Sequence, residues 1–504
     1  MGSLPDSKYI IQTDGYYFVE SHDVDPSRGY ISVSAKGIVN GLSTQPNDGA
    51  DFGPDSYDPN YTGSGIPYTQ TSGIQEAFTY GENNSTIVHL LSGKFECTRT
   101  PTITDALTVI GSGNISFKSF NPFPSGSNPI IPATASVIVQ NSANTNGLNI
   151  EVNYRSVNLD NFSVLLTQTG GHGIYCVPSS PTTEMGMVYS KWGTIVVFNS
   201  VGDGSSYAYY MSNVGQCVFN QLLSYNMLEL YFVGGTSNHY GNSVFTQIYG
   251  STAHLTSAPT GHQVYISGGS GGGLINLLTF TYLQIDYYGQ TSSYYALYVD
   301  KSTQDNYVSF IDIEANGGTT SNSLAIYCNG DFRINSLNMY QGGIIDVSTD
   351  GALQINNARN IGPTTVNNDF GLFYIYNSVG VFSFTINDTN GGYSYIAVDP
   401  RLSPNLPAPS LSTNPPVSGT AYQNTNPYDI LIYLPAYATT SGTAGSVAVA
   451  IGSSSTPSTT FTQFVSGSTS SSSPDTLQIK VPAGWYYEVT TTSVTLATAT
   501  VVAD

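Results

Sequence analysis

The chain has 504 residues, and only 9% of them are charged; 13 basic residues against 33 acidic ones leave a net charge of −20. An ordinary globular domain has about 25% charged residues, so the polar surface here falls to Ser, Thr, Asn, Gln, Gly and Tyr hydroxyls, while 38 Tyr and 21 Phe argue against disorder. So acidic a balance excludes nucleic acid and anionic membranes as expected partners, and no stretch reaches the roughly 18 apolar residues of a membrane-spanning helix.

The acidity reads as solubility. It also fits life in acid, where protonated carboxylates leave a nearly neutral surface. The N-terminus, Met1-Gly-Ser-Leu-Pro-Asp-Ser-Lys8, lacks the apolar core of a signal peptide. This fits mature numbering or a particle protein assembled inside a cell. Cys97, Cys176, Cys217 and Cys328 are far apart, and the six histidines do not cluster. Neither a metal site nor a cofactor is expected, and the cysteines read as small core residues.

Residues 1–71 are turn-rich, with strands possible at 9–19 and 29–39 and a turn cluster at Asn47–Asp55. One short helix follows over Ser72–Tyr80. Ser72 is its expected cap, Glu76 complements its first turn, and Ile74, Ala77 and Phe78 make one apolar face. Ser85–Phe95 reads as a strand, a turn and a second strand.

From about residue 100 to 400 short apolar strands alternate with Gly, Asn and Ser turns. Aligning strands that share a tyrosine reveals a repeat through Tyr175, Tyr210, Tyr231, Tyr265, Tyr298 and Tyr327, with gaps of 35, 21, 34, 33 and 29 residues. Each copy carries a second strand, at 194–199, 216–223, 243–249, 277–286, 307–314 and 333–340. With no helix to cover a sheet, such units bury their apolar faces only by stacking coil on coil. The expected fold is all-β, a right-handed parallel β-helix over 72–399 behind the capping helix. Pro400–Pro416 holds six prolines and reads as a stiff linker. Residues 417–504 alternate as an antiparallel β-sandwich, with strands at 428–434, 445–451, 461–465, 477–481, 486–489 and 494–502.

The stretches Asn47–Phe52, Gly73-Ile-Gln-Glu-Ala-Phe78 and Ile87–Phe95 resemble the opening of pectate-lyase-like β-helices, over roughly residues 47–400. That superfamily includes polysaccharide lyases, glycoside hydrolases and phage tailspikes. Pro416–Ile430 and Val481-Pro-Ala-Gly-Trp-Tyr-Tyr487 are similar to modules ending structural proteins of viruses of hot, acidic archaea. Together these resemblances imply a virion fibre or spike at the particle surface or outside the cell, in contact with other virion proteins. They also imply a homo-oligomer, a trimer if it follows the tailspikes.

A glycosidase needs two carboxylates. Asp312 and Glu314 share one face of a strand, about 7 Å apart, and aligning Ile285 with Ile313 stacks Asp286 beside Glu314. Those three are the candidates for a polysaccharide depolymerase; the competing reading is a solvated outer face or a cation site. Gly171-His-Gly173 resembles a polygalacturonase motif, but the family's Asn-Thr-Asp, Asp-Asp and Arg-x-Lys elements are missing, so His172 reads as a turn residue. Basic residues are too few and scattered for a lyase.

Sugar binding uses aromatic rings among neutral hydrogen-bonding groups. Tyr287, Tyr288, Tyr294 and Tyr295 flank an expected loop, and Trp485, Tyr486 and Tyr487 sit in the terminal module. These seven are the ligand-binding candidates, with core packing as the competing reading. Sequons at Asn60, Asn83, Asn84, Asn114, Asn161 and Asn387 suit a glycosylated surface, although an Asn/Ser/Thr-rich chain produces them by chance. The expected function is attachment to a host-surface glycan or pilus without catalysis. The alternatives are the depolymerase and a passive structural element of the particle.

Overall fold

A computed structural model describes residues 10–13, 16–19, 28–35, 50–54, 56, 69–115, 131–180, 185–234, 242–252, 255, 258–268, 278–286, 294–300, 308–316, 323–339, 342–348, 351–359, 361–369, 371–376, 378–379, 384–389, 392–396, 411–426, 429–466, 469 and 474–503. Strands between Tyr30 and Ile396 form one ladder system of 26 strands. Pairing within it is parallel, as between Phe162–Leu166 and Lys191–Ser212 or between Leu278–Asp286 and Val308–Asn316. In the early coils the strands fall into three parallel ladders, so the rod is a parallel β-helix. The first sheet holds Val157–Asp160, the second Phe162–Leu166 and the third Ile174–Cys176.

The interior is filled row by row. Phe219, Phe245, Phe280 and Phe310 are fully buried and stack with ring centroids 4.5, 4.7 and 4.9 Å apart. Trp192 closes this column edge-on at one end and Phe332 at the other. The four cysteines are buried and form no disulfide with one another, as small core residues should be.

The one helix among the described residues runs Ile74–Asn84, four residues further than the sequence suggests, and buries Ile74, Ala77, Phe78 and Gly81. Ser72 does not cap it. Its hydroxyl instead donates to Glu96 O, tying the helix to the strand Gly93–Cys97. The capping acceptor is Thr71 Oγ1, which takes the Gln75 N–H at 3.1 Å, while Glu76 accepts the Thr69 hydroxyl at 2.8 Å. Gly73 precedes the helix at φ 83°, and a Cβ there would lie 2.5 Å from Gly53 N. Gly73→Ala is therefore expected to cost more than the ~1–3 kcal/mol of left-handed backbone alone. A chemical-denaturation midpoint unchanged from wild type would refute that.

Residues 421–503 form two antiparallel four-stranded sheets around Ile432, Leu434, Val447, Val449, Ile479, Val481 and Tyr487. The strand expected over 494–502 is two strands, Val494–Leu496 and Thr500–Ala503, which pair with opposite ends of Ile430–Ala438. Among the described residues only three ion pairs occur, Arg28–Asp51, Arg155–Asp105 and Lys480–Asp429. Side-chain hydrogen bonds between neutral groups do most of the polar work. No described helix is long and apolar enough to cross a membrane.

Candidate ligand-binding face

The six tyrosines aligned from sequence are Cα partners from coil to coil: Tyr175 with Tyr210, Tyr210 with Tyr231, Tyr231 with Tyr265, Tyr265 with Tyr298, and Tyr298 with Tyr327. Their neighbours Ile174, Tyr209, Leu230, Val264, Leu297 and Ile326 point into the core. Strand alternation therefore puts the aligned tyrosines on the outer face of the third sheet, where each is half-buried. Five coil steps of about 4.8 Å make this a column roughly 24 Å long. The rings stack at 4.9, 4.3, 4.8, 5.4 and 4.3 Å. Because ring faces cover one another, the column offers a ligand ring edges and hydroxyls. Burial raises the phenol pKa of Tyr175, Tyr210, Tyr231, Tyr265 and Tyr298, to about 12 at Tyr231, so these hydroxyls stay neutral.

Polar ladders extend the column in both directions. Tyr175 pairs with Asn149, whose amide donates to Glu151 at 3.0 Å. Tyr327 pairs with Asp346, and the column continues through Asn367 and Asn387 with amide-to-oxygen bonds of 2.7 and 2.9 Å. Alongside runs a second ladder, in which Asn329 donates to Asp300 at 3.0 Å and Ser348 donates to Asn329.

Two histidines border the column. His172 stacks on Tyr175 at 5.6 Å and lies 4.7 Å from Tyr210. His262 stacks on Tyr265 at 5.9 Å and on Tyr298 at 4.0 Å. Each accepts a backbone N–H on Nδ1, from Tyr207 and Tyr295 respectively, so each neutral ring carries its proton on Nε2. Burial lowers both pKa values to about 4, against a small upward pull from Asp203 on His172 and from Asp300 on His262.

No protein-family model matches the chain, and no curated protein matches it.

The expected site residues divide sharply. Tyr294 and Tyr295 belong to the face: Tyr294 stands edge-on to His262 at 5.5 Å, and the Tyr295 hydroxyl donates to Asp346. Tyr287 and Tyr288 lie outside the described residues. In the terminal module Trp485 and Tyr486 are half-buried. Tyr487 is not a ligand residue; it is 1% exposed and packs on Tyr422 inside the sandwich. Among the described residues of that module the most exposed ring is Phe464, 79% exposed on the edge strand Thr459–Val465.

The carboxylate trio does not assemble as expected. The register pairs Gln284 with Glu314 and Asp286 with Asn316, two residues away from the expected alignment. Asp286 is only 7% exposed, and its carboxylate accepts the Tyr249 hydroxyl at 3.0 Å and the Gln284 amide at 3.5 Å. Glu314 accepts the Tyr282 hydroxyl at 3.0 Å. The backbone of Asp312 pairs with Tyr282; its side chain lies outside the described residues. Among the described residues no group of three metal-ligating side chains occurs.

Sequence reading missed both histidine positions and Glu229. The available signal was spacing: His172 and His262 each stand three residues before an aligned tyrosine. Glu229 interrupts the apolar run Met227–Val233, is fully buried, and neither carboxylate oxygen has a hydrogen-bond partner. The room for its carboxyl comes from Gly250, where a Cβ would lie 2.3 Å from Glu229 Oε2.

Proposed function

We propose that the protein is an attachment protein that holds a cell-surface polysaccharide against the third sheet of its β-helix. The observation that carries this reading is the column of six half-buried tyrosines on an outer face whose other groups are mostly neutral hydrogen-bonding side chains. Sugars are recognised by aromatic rings and dense neutral hydrogen bonding, and phenols held in a rigid stack lose little freedom when a ligand docks. The acidic chain suits a neutral glycan better than an anionic one. The resemblance to tailspikes and to archaeal viral modules supports a particle-surface setting, a virion fibre or spike in homo-oligomeric form.

The depolymerase reading has less support, because the register sets Asp286 beside Asn316 rather than Glu314 and leaves it only 7% exposed. The test is retention and release on one sample. The protein is incubated with neutral β-linked glucan, mannan and galactan at acidic and neutral pH, and both bound protein and freed oligosaccharide are assayed. Retention without release is expected. Tyr231→Ala, at the centre of the column, should weaken retention about tenfold or more, as loss of a central aromatic anchor does. Release of oligosaccharide would make the protein an enzyme, and retention of purified pili alone would replace the glycan by a protein filament.

A further inference from the structure

The outer face of the third sheet carries the same recognition element twice. The residues three places before the aligned tyrosines read His172, Tyr207, Leu228, then His262, Tyr295, Leu324, so a His–Tyr–Leu order recurs after three coils. The geometry recurs with it. In the first set the Tyr207 N–H donates to His172 Nδ1 at 3.1 Å, and the N–H of the residue after the histidine, Gly173, donates to Tyr207 O at 2.9 Å. In the second set the Tyr295 N–H donates to His262 Nδ1 at 3.0 Å, and the N–H of Gln263 donates to Tyr295 O at 3.0 Å. Both imidazoles are half-buried, and each lies nearly parallel to the tyrosine of its own coil, with interplanar angles of 13° and 14°. Among the described residues neither Nε2–H has a hydrogen-bond partner.

Two matching notches related by a shift along a rod are what a repeating ligand requires. Three coils of about 4.8 Å place them roughly 14 Å apart along the axis. The phenol column runs unbroken between them through Tyr210, Tyr231 and Tyr265.

We infer that the two histidine notches bind successive repeating units of one linear neutral polysaccharide lying parallel to the rod axis. This rests on the attachment reading and adds to it the ligand's form, direction and repeat. Each notch offers the sugar an imidazole N–H donor and phenol hydroxyls that donate or accept. Asp203 and Asp300 stand near the histidines and disfavour an anionic unit there. A chain long enough to reach both notches gains from its second contact an effective concentration, with no new kind of contact.

The test uses whichever of the β-linked glucan, mannan and galactan is retained, cut into size-fractionated oligosaccharides, with affinities measured by calorimetry. Affinity should step up on the order of 100-fold at the length that spans both notches. His172→Asn or His262→Asn alone should remove that step. Asparagine Oδ1 can keep accepting the tyrosine N–H while the ring and its Nε2–H are lost, and circular dichroism checks that each variant folds. Short oligosaccharides should bind wild type at two equivalent sites and each variant at one. A smooth rise of affinity with length, or a step that survives both variants, overturns the inference and leaves the attachment reading standing. Retention of none of the three polysaccharides overturns both.

Discussion

Phe245→Ala is expected to cost about 3–5 kcal/mol, the range for emptying a large aromatic site that cannot collapse. Phe245 is fully buried, sandwiched between Phe219 at 4.5 Å and Phe280 at 4.7 Å, with Phe232 edge-on at 5.9 Å. Strands above and below hold the backbone in register from Val244 to Ser251, so the walls of the cavity are tied and relax little. The loss is a large share of the roughly 5–15 kcal/mol that a folded domain has in hand. The midpoint of urea unfolding reads it directly. Phe464→Ala is the contrast: that ring is 79% exposed, and its removal should change stability by no more than about 0.5 kcal/mol. Equal effects from the two substitutions would mean that the stacked column does not hold the coils together.

Glu229→Gln should abolish a loss of stability that wild type suffers as pH rises above the ordinary carboxylate range. Burial, and then the nearby Asp286, raise the Glu229 pKa well above the ordinary carboxylate range. Gln263 lies close by without the geometry of a hydrogen bond. The folded state therefore keeps a proton that the unfolded state gives up. Its contribution to stability is complete below the unfolded pKa of about 4.3 and is lost as pH climbs toward the folded value.

His172 and His262 act in the opposite sense. Their folded pKa values, about 4, lie below the ordinary value, so their contribution is present above about 6.5 and is lost as pH falls toward 4. The two histidines are present in both proteins, so their titration cancels when wild type is compared with the glutamine variant. While Glu229 holds its proton only in the folded state, one proton of linkage means roughly a tenfold loss in the folding constant per pH unit. Tyr209, Tyr225 and Tyr249, around the Glu229–Asp286 pair, have raised pKa values and stay neutral in this range. The wild-type urea midpoint should fall relative to that of the glutamine variant as pH rises above about 5. A difference that does not change with pH would show that Glu229 finds solvent or a partner when it ionises.

Much of the fold was legible because one mark repeats. A tyrosine one step from an apolar residue, six times at intervals near 30, fixes both the coil and which way each strand faces. The carboxylate trio failed for a definite reason. Leu283 and Ile285 both point inward, so sliding the next strand by two residues preserves the inside–outside alternation and leaves no trace in the pattern. Stacking of Phe280 on Phe310 settles the register. Tyr487 shows the same limit at smaller scale: in Trp485-Tyr486-Tyr487 only packing decides which ring turns inward. The histidine notches were harder still. His172 and His262 are 90 residues apart, and their shared place three residues before an aligned tyrosine takes on meaning only once three coils are stacked.

The hydrogen bonds that join coil to coil lie along the rod. A pull between its two ends therefore loads them one coil at a time, starting from an end, as a zipper is loaded. Each coil released adds the 21–35 residues between successive tyrosines, roughly 70–120 Å of extended chain. A ligand lying along the third sheet and dragged sideways bears on many coils at once, and the force is shared among them. A tether of this construction gives length when it is stretched end to end and holds firm when its cargo is sheared across it.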